Sequence, residues 1–172
     1  MRYQQNADNG IGHEMEIRNA TLEDAAAACE VLRRSITELC VSDHRGDAAV
    51  LAAWLSNKNP KAFSSWLTHQ DNSVLLAVEQ SVVLGVGAVT AAGEITLNYV
   101  SPDARFRGVS RTLLKALEAR AAKRGNVRCT LISTETARRF YRANGYVEDG
   151  SPECKFCPTG YPMSKVLSFR NS

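Results

Sequence analysis

The run Val100-Ser-Pro-Asp-Ala-Arg-Phe-Arg-Gly-Val-Ser110 connects an apolar strand pattern to an amphipathic helical pattern. Arg105, Arg107 and Gly108 lie in this connection, directly before the helix begins. Free backbone N–H groups at a helix N-terminus favour phosphate groups. The arginines add charged donors, and Gly108 lets the backbone approach a ligand without an intervening side chain. The sequence therefore predicts a phosphate-binding loop that opens into a helix.

The helical pattern after this loop, from Arg111 to Arg124, divides cleanly into an apolar and a charged face. Gly125 directly after it is typical of a helix C-terminus. An apolar run from Val127 to Ile132 then predicts a strand, and Thr134 can cap a further helix that ends at Gly145. These patterns together predict a strand–helix–strand unit on the C-terminal side of the loop.

Three apolar runs precede the loop and predict an antiparallel meander, because only a few residues separate them. They extend over Val74 to Gln80, Val82 to Thr90 and Glu94 to Val100. Alternation along the third run predicts that Glu94 and Asn98 lie on one face of the sheet. The apolar residues between them, Ile95 and Leu97, then lie on the other face with Tyr99.

The N-terminal part of the chain predicts a strand followed by helices. Glu16 to Asn19 reads as a short strand, and helical spacing of apolar residues extends from Leu22 to Cys40. The same spacing resumes around Trp54 and again after Pro60. Residues 1–13 lack periodicity and are expected to form a flexible tail, so the predicted domain covers residues 14–172.

Two final strands are predicted from Tyr146 onward and from Pro162 to Phe169. With 172 residues, the chain has the length of one domain. The expected fold class is α/β (α+β): one domain with a mixed, mostly antiparallel sheet of about seven strands, flanked by about four helices.

The composition argues against nucleic-acid and membrane partners. The 21 Lys and Arg residues nearly balance the 18 Asp and Glu residues, which leaves a net charge of +3. No apolar run reaches the length of a membrane span, so a cytoplasmic protein is expected. Five cysteines, an odd number, are expected to be reduced thiols. Cys154 and Cys157 have the spacing of half a zinc site, but no second pair follows, and no metal is expected.

Two segments resemble the hallmark motifs of the GNAT N-acetyltransferase superfamily. The first is Val100-x-Pro-x-x-Arg105-x-Arg-Gly108-x-Ser110, and the second is Ala137-x-x-Phe140-Tyr141-x-x-x-Gly145-Tyr146. Both occur in the expected order on the expected elements, which makes the pair more specific than either motif alone. The resemblance extends from Glu16 to about Leu167. It implies a sheet splayed at its centre, with acetyl-CoA bound in the gap as cosubstrate.

The resemblance also implies which residues contact the coenzyme, with its pyrophosphate on the loop and its pantetheine arm along the strand edge. These expected coenzyme-binding residues are Tyr99, Val100, Arg105, Phe106, Arg107, Gly108, Val109, Ser110, Arg111, Thr134, Ala137 and Phe140. Ser110 departs from the family pattern, which usually has glycine or alanine there. Serine is small and its hydroxyl adds a donor, so we expect phosphate binding to be retained.

Two side chains are implied as catalytic residues. Tyr141 matches the family's tyrosine near the coenzyme sulfur and is expected to be the general acid; the alternative is a core aromatic residue at helical spacing. Glu94 lies where some protein-acetylating members carry their base; the alternative is a solvated carboxylate at a strand end, with water as the base. The backbone N–H of Val100 is the expected oxyanion donor.

The function implied is transfer of an acetyl group from acetyl-CoA to a primary amine by direct attack in a ternary complex. The acceptor is open: a small-molecule amine, or a peptide or protein amine. A homodimer is possible because dimers are common in the family. The alternative function, from a different class, is a non-catalytic sensor or interaction module that binds coenzyme A with the same fold.

Overall fold

The computed structural model of the chain describes residues 14–154 and 158–168. The expected tail, residues 1–13, and Cys157 of the cysteine pair lie outside the described residues. Among the described residues, no helix combines the length and apolarity needed to cross a membrane.

A single seven-stranded sheet forms the centre of the molecule, with strand order β1-β2-β3-β4-β5-β7-β6. All neighbouring strands are antiparallel except β4 and β5, which are parallel. The predicted mixed, mostly antiparallel sheet of seven strands is therefore confirmed. The strands are β1 (Glu16–Asn19), β2 (Asn72–Glu79), β3 (Val82–Thr90), β4 (Glu94–Val100), β5 (Arg128–Ser133), β6 (Val147–Glu148) and β7 (Tyr161–Val166).

The described residues form six α-helices, more than the four or so expected, because the segment between β1 and β2 breaks into several short ones. Capping residues explain two of these breaks: the Asp47 carboxylate accepts from Ala49 and Val50, and the Asn59 side chain accepts from Ala62. The helices are α1 (Ala25–Arg34), α2 (Val41–His44), α3 (Ala48–Leu55), α4 (Pro60–Thr68), α5 (Val109–Lys123) and α6 (Glu135–Ala143).

The helices cover the two faces of the sheet. On one face, α1 and α4 pack on Leu76, Val86 and other strand residues through Leu32 and Phe63, which are fully buried. On the other face, α5 and α6 share a core cluster that includes Leu117. The long helix predicted to Cys40 continues past α1 as a π-helical turn, Ser35–Leu39, and such turns are frequent at functional sites.

The parallel strands β4 and β5 separate soon after they begin to pair. Glu94 pairs with Thr130 and Ile95 pairs with Leu131, and the two strands form no further pairs. Beyond these two pairs the strands diverge, so a gap opens in the middle of the sheet. The expected splay is confirmed, and it lies beside the loop that precedes α5.

The structure corrects the predicted faces of β4. The register against β3 shifts between Ala88 and Val89, which leaves Thr96 as an extra residue, a β-bulge. Ile95 therefore packs in the cluster under α5, whereas Leu97 packs in the cluster under α1. Asn98 pairs with Gly87, a residue that faces α5. The prediction that Glu94 and Asn98 share one face was wrong, because the bulge reverses the alternation between them.

Gly87 allows α5 to lie close to the sheet. A methyl group there would lie 2.9 Å from Leu117 Cδ1 and 3.0 Å from Leu113 Cγ, which is closer than van der Waals contact. We expect Gly87→Ala to lower the free energy of unfolding by about 1–3 kcal/mol through overpacking. Urea denaturation measures this, and an unchanged midpoint would show that α5 moves away from the sheet without cost.

Candidate active site

A cavity of about 650 Å³ occupies the gap between β4 and β5 and extends to the loop before α5. Its size suits a small molecule or cofactor. Most of the residues predicted to bind coenzyme or act in catalysis line it: Tyr99, Val100, Arg105, Phe106, Gly108, Val109, Ser110, Arg111, Thr134, Ala137, Phe140 and Tyr141. The structure therefore brings both sequence motifs to one cavity. Arg107 and Glu94 are not among its lining residues.

The loop has the geometry of an anion site. Gly108 adopts a left-handed conformation with φ of 77° and caps α5, which begins at Val109. The first N–H groups of a helix have no intrahelical acceptor. In α5 these groups belong to Val109, Ser110 and Arg111, which all line the cavity. Several backbone donors and the positive end of a fifteen-residue helix thus meet at one end of the cavity.

The arginines around Gly108 have different surroundings. Arg107 donates two hydrogen bonds to the Glu79 carboxylate, at 2.7 and 2.9 Å, so its charge is paired outside the cavity. Arg105 lies in the cavity wall with its guanidinium 4.7 Å from the ring centroid of Phe106. That ring is 92% exposed. The loop thus presents a cation and an exposed aromatic face at the mouth of the cavity.

Tyr141 lies deep in the cavity, where α6 passes the gap. Its ring makes edge-to-face contacts with Phe140 and Tyr146, at centroid distances of 5.1 and 5.5 Å. Burial raises the pKa of its hydroxyl to about 12. The hydroxyl therefore stays protonated at physiological pH and remains a hydrogen-bond donor.

Asn98 presents an unsatisfied amide to the same cavity. Both its Oδ1 and its Nδ2 are buried and form no hydrogen bond among the described residues. Its side chain lies near the Tyr141 hydroxyl and opposes the burial that raises the pKa of Tyr141. Burying such a group unpaired costs about 1–3 kcal/mol, so the amide is free to bind polar atoms of a ligand in this cavity.

Comparison with known proteins agrees with this geometry. The family model of the acetyltransferase (GNAT) domain matches residues 40–167. The chain belongs to the GNAT family. This GNAT domain resembles a GCN5-related N-acetyltransferase from Rhodopseudomonas palustris, with 26% identity, a TM-score of 0.80, and coverage of 92% of this chain and 100% of that one.

Other solved structures share the fold at lower identity. The PaiA N-acetyltransferase from Thermoplasma acidophilum, solved in complex with coenzyme A, has 20% identity and a TM-score of 0.76 over 90% of this chain and 99% of that one. A ribosomal-protein-alanine N-acetyltransferase from Brucella melitensis has 20% identity and a TM-score of 0.68, over 88% and 99%. No curated protein matches the chain.

Glu94 occupies the closed end of the gap in this GNAT domain. It is exposed and pairs with Thr130 where β4 and β5 are still hydrogen-bonded. Its backbone N–H donates to the Thr90 hydroxyl at 3.1 Å. The described residues that line the cavity include no aspartate, glutamate or histidine. The cavity itself therefore offers no carboxylate or imidazole as a base.

Asp43 connects α2 to the helix that carries Tyr141. Its carboxylate accepts from the Glu135 N–H at 2.8 Å and from the Thr136 hydroxyl, so it caps the start of α6. An exposed acid in this position could attract an amine, but both carboxylate oxygens of Asp43 already accept hydrogen bonds from the start of α6. Its contact with α6 spans 92 residues of sequence, and no local pattern reveals it.

The π-helical turn supplies cavity residues that sequence reasoning missed. Ser35, Leu39 and Cys40 line the cavity opposite α6. Burial raises the pKa of the Cys40 thiol to about 12, so it is present as the thiol and not the nucleophilic thiolate. Among the residues that the structure describes, no cluster of three or more His, Cys, Asp or Glu side chains is arranged to hold a metal ion.

Proposed function

We propose that this GNAT domain transfers an acetyl group from acetyl-CoA to a primary amine by direct attack in a ternary complex. The observation that carries the proposal is the single cavity shared by the glycine–arginine loop, the open edge of β4 and Tyr141. The thioester supplies an activated acyl group when bound. The residues of the chain bind it, orient it and stabilise the charges that develop.

The loop and α5 suit the pyrophosphate. The N–H groups at the start of α5 and the side chains of Arg105 and Arg111 provide donors and positive charge at the outer end of the cavity. The guanidinium of Arg107 already forms an ion pair with the Glu79 carboxylate. Arg107 can contact the pyrophosphate as predicted only if this ion pair breaks. Phe106 adds an exposed ring beside these donors.

The edge of β4 suits the pantetheine arm and the acetyl carbonyl. The Ser101 N–H donates to the Leu84 carbonyl at 2.7 Å, so the Gly85–Val100 pair is of the non-hydrogen-bonded type. In such a pair the N–H and C=O groups point away from the partner strand. Val100, and Asn98 two residues earlier, therefore direct backbone groups into the gap. This supports the Val100 N–H as oxyanion donor and strand-like pairing with pantetheine.

Direct attack is favoured over an acetylated enzyme. An acyl-enzyme route needs a reactive nucleophile, and Cys40 is the only thiol among the described lining residues. Its raised pKa keeps it protonated and inert. Tyr141 is buried in the cavity wall and protonated, which supports its role as the donor of a hydrogen bond or proton to the departing thiolate. With no carboxylate in the cavity wall, water is favoured over Glu94 as the acceptor of the amine proton.

Thiol release from acetyl-CoA in the presence of an amine panel tests the proposal. We expect thiol release that depends on the amine. When both substrates are varied, double-reciprocal plots of the initial rate should give intersecting lines, as a ternary complex requires. Tight acetyl-CoA binding without release by any amine would favour the non-catalytic sensor.

The pH profile provides a separate prediction. kcat/KM is expected to rise with pH until the acceptor amine is neutral, because only the neutral amine attacks. The pKa of Tyr141, raised by burial to about 12, means that the general acid is not lost in this range. We therefore expect no falling limb below about pH 11 that is due to Tyr141. Stopped assays with buffers matched in ionic strength measure this, and a falling limb between about pH 8 and 9 that disappears in Tyr141→Phe would contradict it.

A further inference from the structure

A second cavity, of about 560 Å³, lies on the other side of the gap. It shares Tyr99, Ile132 and Thr134 with the cavity described above, so the two meet between the splayed strands. Its outer wall consists of the C-terminal part of α3, the turn after it, and residues 158–160. A molecule bound in this cavity would have access to the gap between β4 and β5.

Lys58 gives this second cavity its charge. It is the one charged residue among the described residues that line the cavity, and no aspartate or glutamate lines it with them. Lys58 is one of the lining residues of this cavity, and it is only 7% exposed. A lysine is rarely buried to this extent unless an acid pairs with it.

No acidic side chain among the described residues pairs with Lys58. Its Nζ donates to the Asn57 side-chain oxygen at 2.5 Å and lies 5.8 Å from the ring centroid of Trp66. No carboxylate oxygen among the described residues lies within 4.0 Å of it. Burial lowers the pKa of Lys58. The Arg33 guanidinium, bonded to the carbonyls of Leu55 and Lys58 at 3.2 and 3.3 Å, adds a second cation beside the same turn.

We propose that the acceptor is a small amine that also carries a carboxylate, such as an amino acid, and that Lys58 binds this carboxylate. This inference rests on the proposed acetyl transfer and names its substrate class. A carboxylate in the second cavity supplies the missing partner of Lys58, and the amine is then directed toward Tyr99 and the gap. A polyamine would bring several positive charges to a wall that already holds an unpaired one.

The same cation helps the reaction. By pairing with the acceptor's carboxylate, Lys58 weakens the attraction between that carboxylate and the acceptor's own ammonium, which raises the fraction of neutral amine that can attack. This matters here because the described walls of both cavities hold no carboxylate to take the proton. Lys58 is therefore a specificity residue that also favours the nucleophilic form of the acceptor.

The experiment compares each standard amino acid with its C-terminal amide, together with spermidine, by thiol release from acetyl-CoA. The amide has the less basic amine, so a pocket indifferent to the carboxylate would favour the amide. We expect at least one amino acid to exceed its amide in kcat/KM by about tenfold or more. Lys58→Met should abolish this preference, Lys58→Arg should keep part of it, and Lys61→Met, an exposed lysine in neither cavity, should leave it unchanged.

Two results would overturn the inference alone: amides or spermidine acetylated more efficiently than amino acids, or a carboxylate preference that survives in folded Lys58→Met. If Lys58→Met does not fold, the inference is tested by the wild-type protein alone, through the ratio of kcat/KM for each amino acid to kcat/KM for its amide. Failure of the proposed function is distinct, because it appears as acetyl-CoA binding without thiol release for every amine in the panel.

Discussion

Tyr141→Phe is expected to lower kcat by about a hundredfold or more and to leave the Kd for acetyl-CoA nearly unchanged. The substitution removes only the hydroxyl, and the ring that packs on Phe140 and Tyr146 remains. The hydroxyl is buried and stays protonated, with a pKa raised to about 12, so it contributes when charge develops on the departing sulfur and little before that. A loss confined to kcat is the signature of an interaction made in the transition state.

Tyr146→Phe is the matched control. Tyr146 is 2% exposed, touches the Tyr141 ring, lines neither cavity, and its hydroxyl forms no hydrogen bond among the described residues. Removal of the Tyr146 hydroxyl should leave kcat within about threefold of the wild-type value. Isothermal titration gives Kd, and steady-state assays give kcat. Equal losses in both variants, or loss of acetyl-CoA binding in Tyr141→Phe, would assign Tyr141 a packing role.

Gly108→Val is expected to weaken acetyl-CoA binding by at least about tenfold. Gly108 has φ of 77°, a conformation that β-branched residues rarely adopt, and it is the residue from which α5 starts. Apart from Gly108 itself and its two chain neighbours, no atom of the described residues lies within 4 Å of a Cβ placed there, so the fold has room for the side chain. The change therefore acts through the backbone conformation of the loop and through the space that a ligand would occupy.

Gly125→Val provides the control at the other end of the same helix. Gly125 has φ of 88°, has equally open surroundings, and does not line either cavity. Both variants should lose a similar amount of stability, about 1–2 kcal/mol from the left-handed conformation, but only Gly108→Val should lose coenzyme affinity. Equal acetyl-CoA affinity in the two variants would show that the loop does not hold the phosphates.

Periodicity and turn residues were sufficient to predict most of the strands and helices and the loop that precedes α5, whereas the splay of the sheet was implied by the resemblance to the GNAT superfamily. The bulge at Thr96 was not predictable, because an inserted residue in an alternating run leaves no mark when its neighbours are Ile95 and Leu97, both of which are buried. That single residue separates Glu94 from Asn98. It is also the reason that Asn98, and not a carboxylate, presents a polar side chain to the gap.

Contacts between residues far apart in the sequence were also not predictable. The ion pair of Arg107 with Glu79 joins residues 28 apart, and the cap that Asp43 provides for α6 joins residues more than 90 apart. Lys58 looks like an ordinary surface lysine in the sequence, since Asn57-Lys-Asn59 is polar. Its burial depends on the packing of α1, α3 and α4 around that turn, which only the folded chain reveals.

One turnover with acetyl-labelled coenzyme tests the central proposal most directly. Protein, coenzyme and amine are separated after the wild-type chain reacts with labelled acetyl-CoA, with and without an amino acid acceptor. Direct transfer predicts label in the amine when the acceptor is present and no label on the protein in either case. Label that stays on the coenzyme with every amine would contradict acetyl transfer, and label on the protein would contradict direct attack.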